Sequence, residues 1–175
     1  MSEKLDERSL WSITYGLYVV TSAHEGKANG QMANTVVQVT AEPPRLAVTI
    51  NKGNYTHELI SASGRIGVSV LGSSTPLDFI GGFGFRSGRD IDKLAGVASR
   101  EGVTGVPLVL ENAVSVFEGR IIESVDMGTH TVFFFEVEAG EVLSNEAPLT
   151  YAEYHARKGK APKAAPTYRK PELEK

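Results

Sequence analysis

The 175-residue chain contains no cysteine. That absence excludes disulfides, thiolate nucleophiles, zinc-thiolate sites and protein-ligated iron–sulfur clusters, and it favours a reducing, intracellular compartment. Long apolar runs are missing too. No stretch approaches a membrane span, and the charged start over residues 1–10 has no apolar core of signal-peptide length, so a soluble, cytoplasmic protein is expected. The four histidines, at 24, 57, 130 and 155, form neither HExxH nor an i, i+4 pair, which leaves a metal site without support. A GxSxG elbow, a Walker loop and a GxGxxG fingerprint are all absent, which sets aside hydrolase, nucleoside-triphosphate and dinucleotide-fingerprint chemistry.

Charge is nearly balanced, with 18 basic against 21 acidic residues, but it is unevenly placed. Residues 151–175 carry seven Lys or Arg against three Glu, net +4, leaving 11 basic against 18 acidic residues on 1–150. The basic tail alternates with Pro, Ala and Gly and lacks a base-stacking platform. It is expected to pack over the acidic body or an anion rather than to bind nucleic acid.

Hydrophobic patterning predicts a protein made mainly of strands. Leu5, Leu10, Trp11 and Ile13 suggest a short amphipathic helix. Strands are expected over 17–23, 31–40 and 46–50, with Pro43-Pro44 breaking the pairing between the last two, and then over 66–71, 113–122 and 132–143. Helices are expected after Asn54, with Leu59 and Ile60 on one face, and after Ser74-Thr75-Pro76. Residues 81–85 should be irregular, 90–94 a short helix, and the chain beyond 147 an extended arm with one helical turn at 152–156. With no βαβ alternation, an antiparallel β-barrel in one domain over 1–175 fits better than a Rossmann sheet.

Three polar segments could carry chemistry. Residues 29–35, Asn-Gly-Gln-Met-Ala-Asn-Thr, gather amides and hydroxyls that either form turn chemistry or read a polar heterocycle or a sugar-like chain. Residues 51–56, Asn-Lys-Gly-Asn-Tyr-Thr, place a helix N-terminus beside a cation. Plain capping by Asn54 and a phosphate site both fit that pattern. Residues 84–93 compress Arg86, Ser87, Arg89 and Lys93 with two acids, which suits either an anion site or a self-neutralising loop. His130 opens the β-branched and aromatic run Thr131-Val132-Phe133-Phe134-Phe135, where a buried ring needs a partner, either a backbone carbonyl or a ligand. The three phenylalanines must point to both faces of one strand. One barrel interior cannot take all three, so a second apolar surface, that of a homodimer, is expected.

Taken in order, Ala33-Asn34-Thr35, Asn51-Lys52 to Tyr55-Thr56, 83–93, Gly128-Thr129-His130-Thr131, Tyr151 to His155 and 165–168 resemble the flavin reductase-like, FMN-binding split-barrel family, and within it flavoredoxins and the flavin domain of high-molecular-weight rubredoxins. The resemblance spans about residues 11–168. It implies a homodimeric six-stranded antiparallel split barrel with short inserted helices, holding FMN rather than FAD, reduced by NADH or NADPH, and passing electrons to a rubredoxin or another small redox protein. It also implies roles: Asn34 and Thr35 toward the flavin or its ribityl chain; Thr49, Ile50, Asn51 and Lys52 along the ring edge by their backbone; Lys52, Asn54 and Thr56 toward the phosphate; Ser87, Lys93 and Tyr168 near the flavin. His130 corresponds to the histidine facing the ring and the nicotinamide. Two departures stand out. Thr129 occupies the place of an acid found in many of the reductases, and the CxxC pairs of a rubredoxin module are absent, so electrons must leave to a separate partner. An electron carrier with little direct NAD(P)H oxidation and a non-catalytic flavin-binding module are the competing readings.

Overall fold

A computed structural model describes residues 5–158. A short 3-10 helix, Glu7–Ser12, leads into β1 (Tyr18–His24), β2 (Lys27–Ala33), β3 (Val36–Thr40) and β4 (Arg45–Asn51). Helix α1 (Tyr55–Ser63) and β5 (Arg65–Leu71) follow, then α2 (Leu77–Gly84), a small hairpin of β6 (Ser99–Glu101) and β7 (Pro107–Val109), the long strands β8 (Ala113–Asp126) and β9 (His130–Val142), and α3 (Tyr151–Lys158). The main sheet has seven strands in the order β2-β1-β5-β8-β9-β4-β3, all pairs antiparallel. The architecture is the mainly-β split barrel expected, with one strand more than the six anticipated.

The extra strand has a simple cause. Residues 31–40 were expected as one strand, but the chain turns at Asn34-Thr35, so β2 and β3 lie on opposite edges of the sheet. Only three Cα steps separate Ala33 from Val36, a reach of about 11 Å at most. The two edges must therefore curl toward each other, which rolls the sheet into a barrel that is joined by chain and not by a hydrogen-bonded ladder. Thr49 N–H donates to Thr35 C=O at 3.1 Å and holds that corner against β4. The interior is filled by Val20, Val48, Ile50, Ile60, Ile66, Val68, Phe133 and Phe135.

Other differences are local. Helix α2 runs through Gly81, Gly82 and Gly84, where irregular chain was expected, because Ile80 and Phe83 on one face are buried and outweigh the poor helix propensity of glycine. Residues 90–94 form turns and no helix. Beyond Ala147 the chain is not simply extended: α3 covers two turns, and Tyr151 and Tyr154, three residues apart, pack into the core beneath it. Helix α1 ends at Gly64, in the left-handed region at φ 66°, whose N–H donates to Ile60 C=O at 2.8 Å. Among the described residues no helix is long and apolar enough to cross a membrane.

Of the three phenylalanines, Phe133 and Phe135 face inward, while Phe134 lies on the outer face beside Ala47 and Glu123. That outer face also carries Val37, Val125 and Val132, and Ile122 is exposed beside it. Val37 is 57% and Val125 43% exposed.

Candidate functional site

A cavity of about 310 Å³ opens where α1 begins, bounded by β2, the ends of β4 and β9, the loop 85–90, the end of α2 and the buried tyrosines of α3. Its floor is set by α1. Asn54 is the N-cap residue but makes no side-chain cap bond, so the helix N-terminus and its dipole are turned to the cavity rather than closed by the cap. Thr56, fully buried, accepts a 2.8 Å hydrogen bond from Asn29 Nδ2 and so locks α1 to β2. Arg89 ties the 85–90 loop to the same place: its guanidinium donates to Gly53 C=O at 3.1 Å, pairs with Glu58, and lies 5.4 Å from the centre of the Tyr55 ring. Gly88 backs onto Asn29, where a Cβ would overlap the amide.

Of the residues expected at the site, Asn34, Thr49, Asn51, Asn54, Thr56, Ser87, Lys93 and His130 all line this one cavity although they are spread over 97 positions of sequence. Thr35, Ile50 and Lys52 do not. Thr35 Oγ1 donates to Asn34 Oδ1 at 3.1 Å, and the Ile50 side chain is buried in the barrel. Lys52 turns to the neighbouring hairpin: Nζ lies 2.5 Å from Asp126, and its N–H donates to Thr129 C=O at 3.0 Å. The hydrogen bond from Lys52, followed by that from Gly128 N–H, holds the Asp126 carboxyl below the usual range. Tyr168 lies outside the described residues.

His130 is half-buried at the start of β9, opposite Asn51, with Nδ1 2.8 Å from Thr129 Oγ1. The hydroxyl thus occupies that ring nitrogen, and it can serve as donor or acceptor there. One residue on, Thr131 Oγ1 sits 2.8 Å from His57 Nε2, pinning α1 to β9 beside the cavity. Burial, then the Lys52 charge, push the His57 pKa down. Lys93 Nζ donates to Phe83 C=O at 2.9 Å, near the end of α2 where backbone carbonyls lack helical partners, and burial lowers its pKa to about 8.

Several lining residues stand outside the individual roles that the resemblance implies. Tyr151 and Tyr154 wall the cavity with Ile80, Phe83 and Leu17, giving it one apolar side against the polar β2 side. Their i, i+3 spacing on a helix was the available signal. Gln31 is 8% exposed, and its Oε1 has no hydrogen-bond partner. Arg86 lines the mouth, exposed, with no ion pair to another described residue. By contrast Glu118, buried in β8, is structural: it accepts from the N–H groups of Val103 and Thr104, each at 2.8 Å, and from the Thr104 hydroxyl at 2.5 Å. No His/Asp/Glu cluster suited to a metal occurs among the described residues.

A helix N-terminus and cationic loop at one end, buried amides along one side and an apolar wall opposite suit a phosphate joined through a polar chain to a flat heterocycle, as in a flavin mononucleotide. Related proteins agree with that chemistry. Over 165 residues the chain is 47% identical to a ferric-chelate reductase (NAD(P)H) of Archaeoglobus fulgidus, covering 94% of this chain and 98% of the relative. It is 43% identical to a high molecular weight rubredoxin of Moorella thermoacetica over 94% of this chain and 72% of that protein. Among solved structures, an FMN-binding protein of Thermus thermophilus superposes with a TM-score of 0.68 at 28% identity, covering 75% of this chain and 73% of that one. Residues 10–160 match the flavin reductase like domain, and the chain belongs to that family.

Proposed function

We propose that the cavity holds FMN with its phosphate at the N-terminus of α1 and its ring toward His130, and that NADH or NADPH delivers hydride at the open side. The chain is a flavin-dependent oxidoreductase of the NAD(P)H:flavin reductase type. The observation that carries the site assignment is the convergence of α1's uncapped N-terminus, the loop with Arg86, Ser87 and Arg89, and His130 on one cavity. When bound, FMN supplies a ring that accepts a hydride and gives electrons up singly or in pairs. The protein's own work is to hold and orient. Backbone donors of α1 and Ser87 anchor the phosphate, Asn34, Thr49 and Asn51 face the remainder, and Lys93 stands as a cation beside it. His130, steadied by Thr129, positions the donor.

The electron acceptor is a separate small redox protein such as a rubredoxin, or a ferric chelate, in keeping with the relatives' names. A homodimer through the outer face of β3, β4, β8 and β9 would cover Val37, Phe134 and Val125. A chain without cysteine fits the cytoplasm. A second reading, an electron carrier that reacts slowly with NAD(P)H, is favoured by Thr129 standing beside His130 in place of an acid.

The test is direct. The purified protein should be yellow and release FMN on denaturation, and anaerobic mixing with NADH or NADPH should bleach the flavin within seconds. Bleaching slower than reduction by a redox protein selects the carrier reading. A colourless protein that takes up no FMN overturns both.

A further inference from the structure

Three buried amides line the cavity on β2 and at the corner that follows it, and two of them are engaged. Asn29 is bonded to Thr56, and Asn34 receives the Thr35 hydroxyl. Gln31 differs. It lines the cavity, it is more than nine-tenths buried, and its Oε1 is sequestered from water with no hydrogen-bond partner. A buried carbonyl in that condition is destabilising, and proteins hold such groups where something else satisfies them.

We infer that Gln31 is a flavin-recognition residue whose amide carbonyl accepts a hydrogen bond from a ribityl hydroxyl of the bound cofactor. The position along β2 selects the ribityl chain. Asn29 grips Thr56 at the N-terminus of α1, where the phosphate sits, and Gln31 follows two residues on, about 7 Å along the strand. That is the stretch spanned by the carbon chain between phosphate and ring, whose hydroxyls are donors. The inference rests on the flavin reading above and adds to it a residue that discriminates the sugar chain.

The experiment pairs Gln31→Met, which keeps the side-chain length and removes the amide, with FMN and its 2′-, 3′- and 4′-deoxy analogues. Wild-type binding of FMN is measured first by fluorescence quenching; if wild type binds no FMN, the flavin reading itself has failed. Given binding, Gln31→Met should raise the FMN Kd about tenfold. One deoxy analogue should bind wild type about tenfold more weakly than FMN yet bind the variant as well as FMN does, the signature of a shared contact. The flavin-free variant should unfold at the same urea concentration as wild type or a higher one, because an unpaired carbonyl has been removed. An unchanged FMN Kd, losses that multiply for all three analogues, or a flavin-free variant that unfolds earlier would each overturn the inference, the last by showing Gln31 to be structural.

Discussion

Lys93 offers a quantitative test of the site, because its charge is held there at a cost. The ammonium is half-buried, donates to Phe83 C=O at 2.9 Å, and has its pKa lowered by burial to about 8 from 10.5. An anionic ligand in the same cavity favours the charged form, so binding FMN should restore the proton whenever it has been lost. Below pH 8 Lys93 is already charged, and the FMN Kd should be flat. Above it, each further unit removes the proton from a larger share of the flavin-free protein, and by pH 9 the Kd should be about tenfold weaker, a loss of about 1.4 kcal/mol. Titration calorimetry in two buffers of different ionisation enthalpy should show uptake approaching one proton at pH 9 and none at pH 7. Lys93→Met should bind FMN with the same affinity at both pH values. The reasoning fails if wild type shows no proton uptake at pH 9, or if the methionine variant retains the slope.

His130→Ala should slow anaerobic flavin reduction by NAD(P)H about tenfold in stopped flow while FMN occupancy stays near wild type, since the groups proposed to hold the phosphate lie on α1 and the 85–90 loop. Thr56→Val leaves Asn29 Nδ2 buried without its acceptor, so urea unfolding should show a loss of about 1–3 kcal/mol together with weaker FMN binding. The His57 pKa is lowered in the folded protein, so the folded state binds fewer protons than the unfolded chain just below pH 6.5. Stability should fall as pH drops through that region, and His57→Gln should flatten the urea midpoint against pH there. Phe134→Glu places a charge on the outer apolar face, and light scattering at micromolar concentration should then give half the wild-type mass; equal masses would remove this face from the dimer reading.

How far the sequence spoke for the fold differed by element. Strands that alternate or run apolar, such as 66–71 and 113–122, were legible because one period and a buried face define them. Strand β8 reaches on to Asp126 through a segment whose side chains are mostly exposed, so its pairing with β9 left no buried face to read in the pattern. The corner at Asn34-Thr35 has neither glycine nor proline and could not be seen as a break. The β6–β7 hairpin is too short, three residues a strand, to show a period at all. At the site, helix-terminus chemistry made Asn54 and Thr56 readable locally. What could not be read was competition: Lys52 has the right charge and position for a phosphate, and only the fold shows that Asp126, 74 residues later, holds it. Tyr151 and Tyr154 were hidden in the same way, since their place under α3 depends on the barrel they close against.

The turn that carries β2 into β3 leaves the barrel with a seam: its two rims are tethered by a short length of backbone, yet nothing laces them rung by rung. A molecule lodged beside that seam, gripping β2 on one flank and the ends of β4 and β9 on the other, acts as a clasp. Amide hydrogens of β2 should therefore exchange with solvent more slowly when the clasp is in place, while those of β5 and β8, laced on both sides, should hardly notice. Cofactor retention and the mechanical integrity of the cylinder become one property in such a design, and a substitution that loosens the seam will shed the cofactor without touching any atom that contacts it.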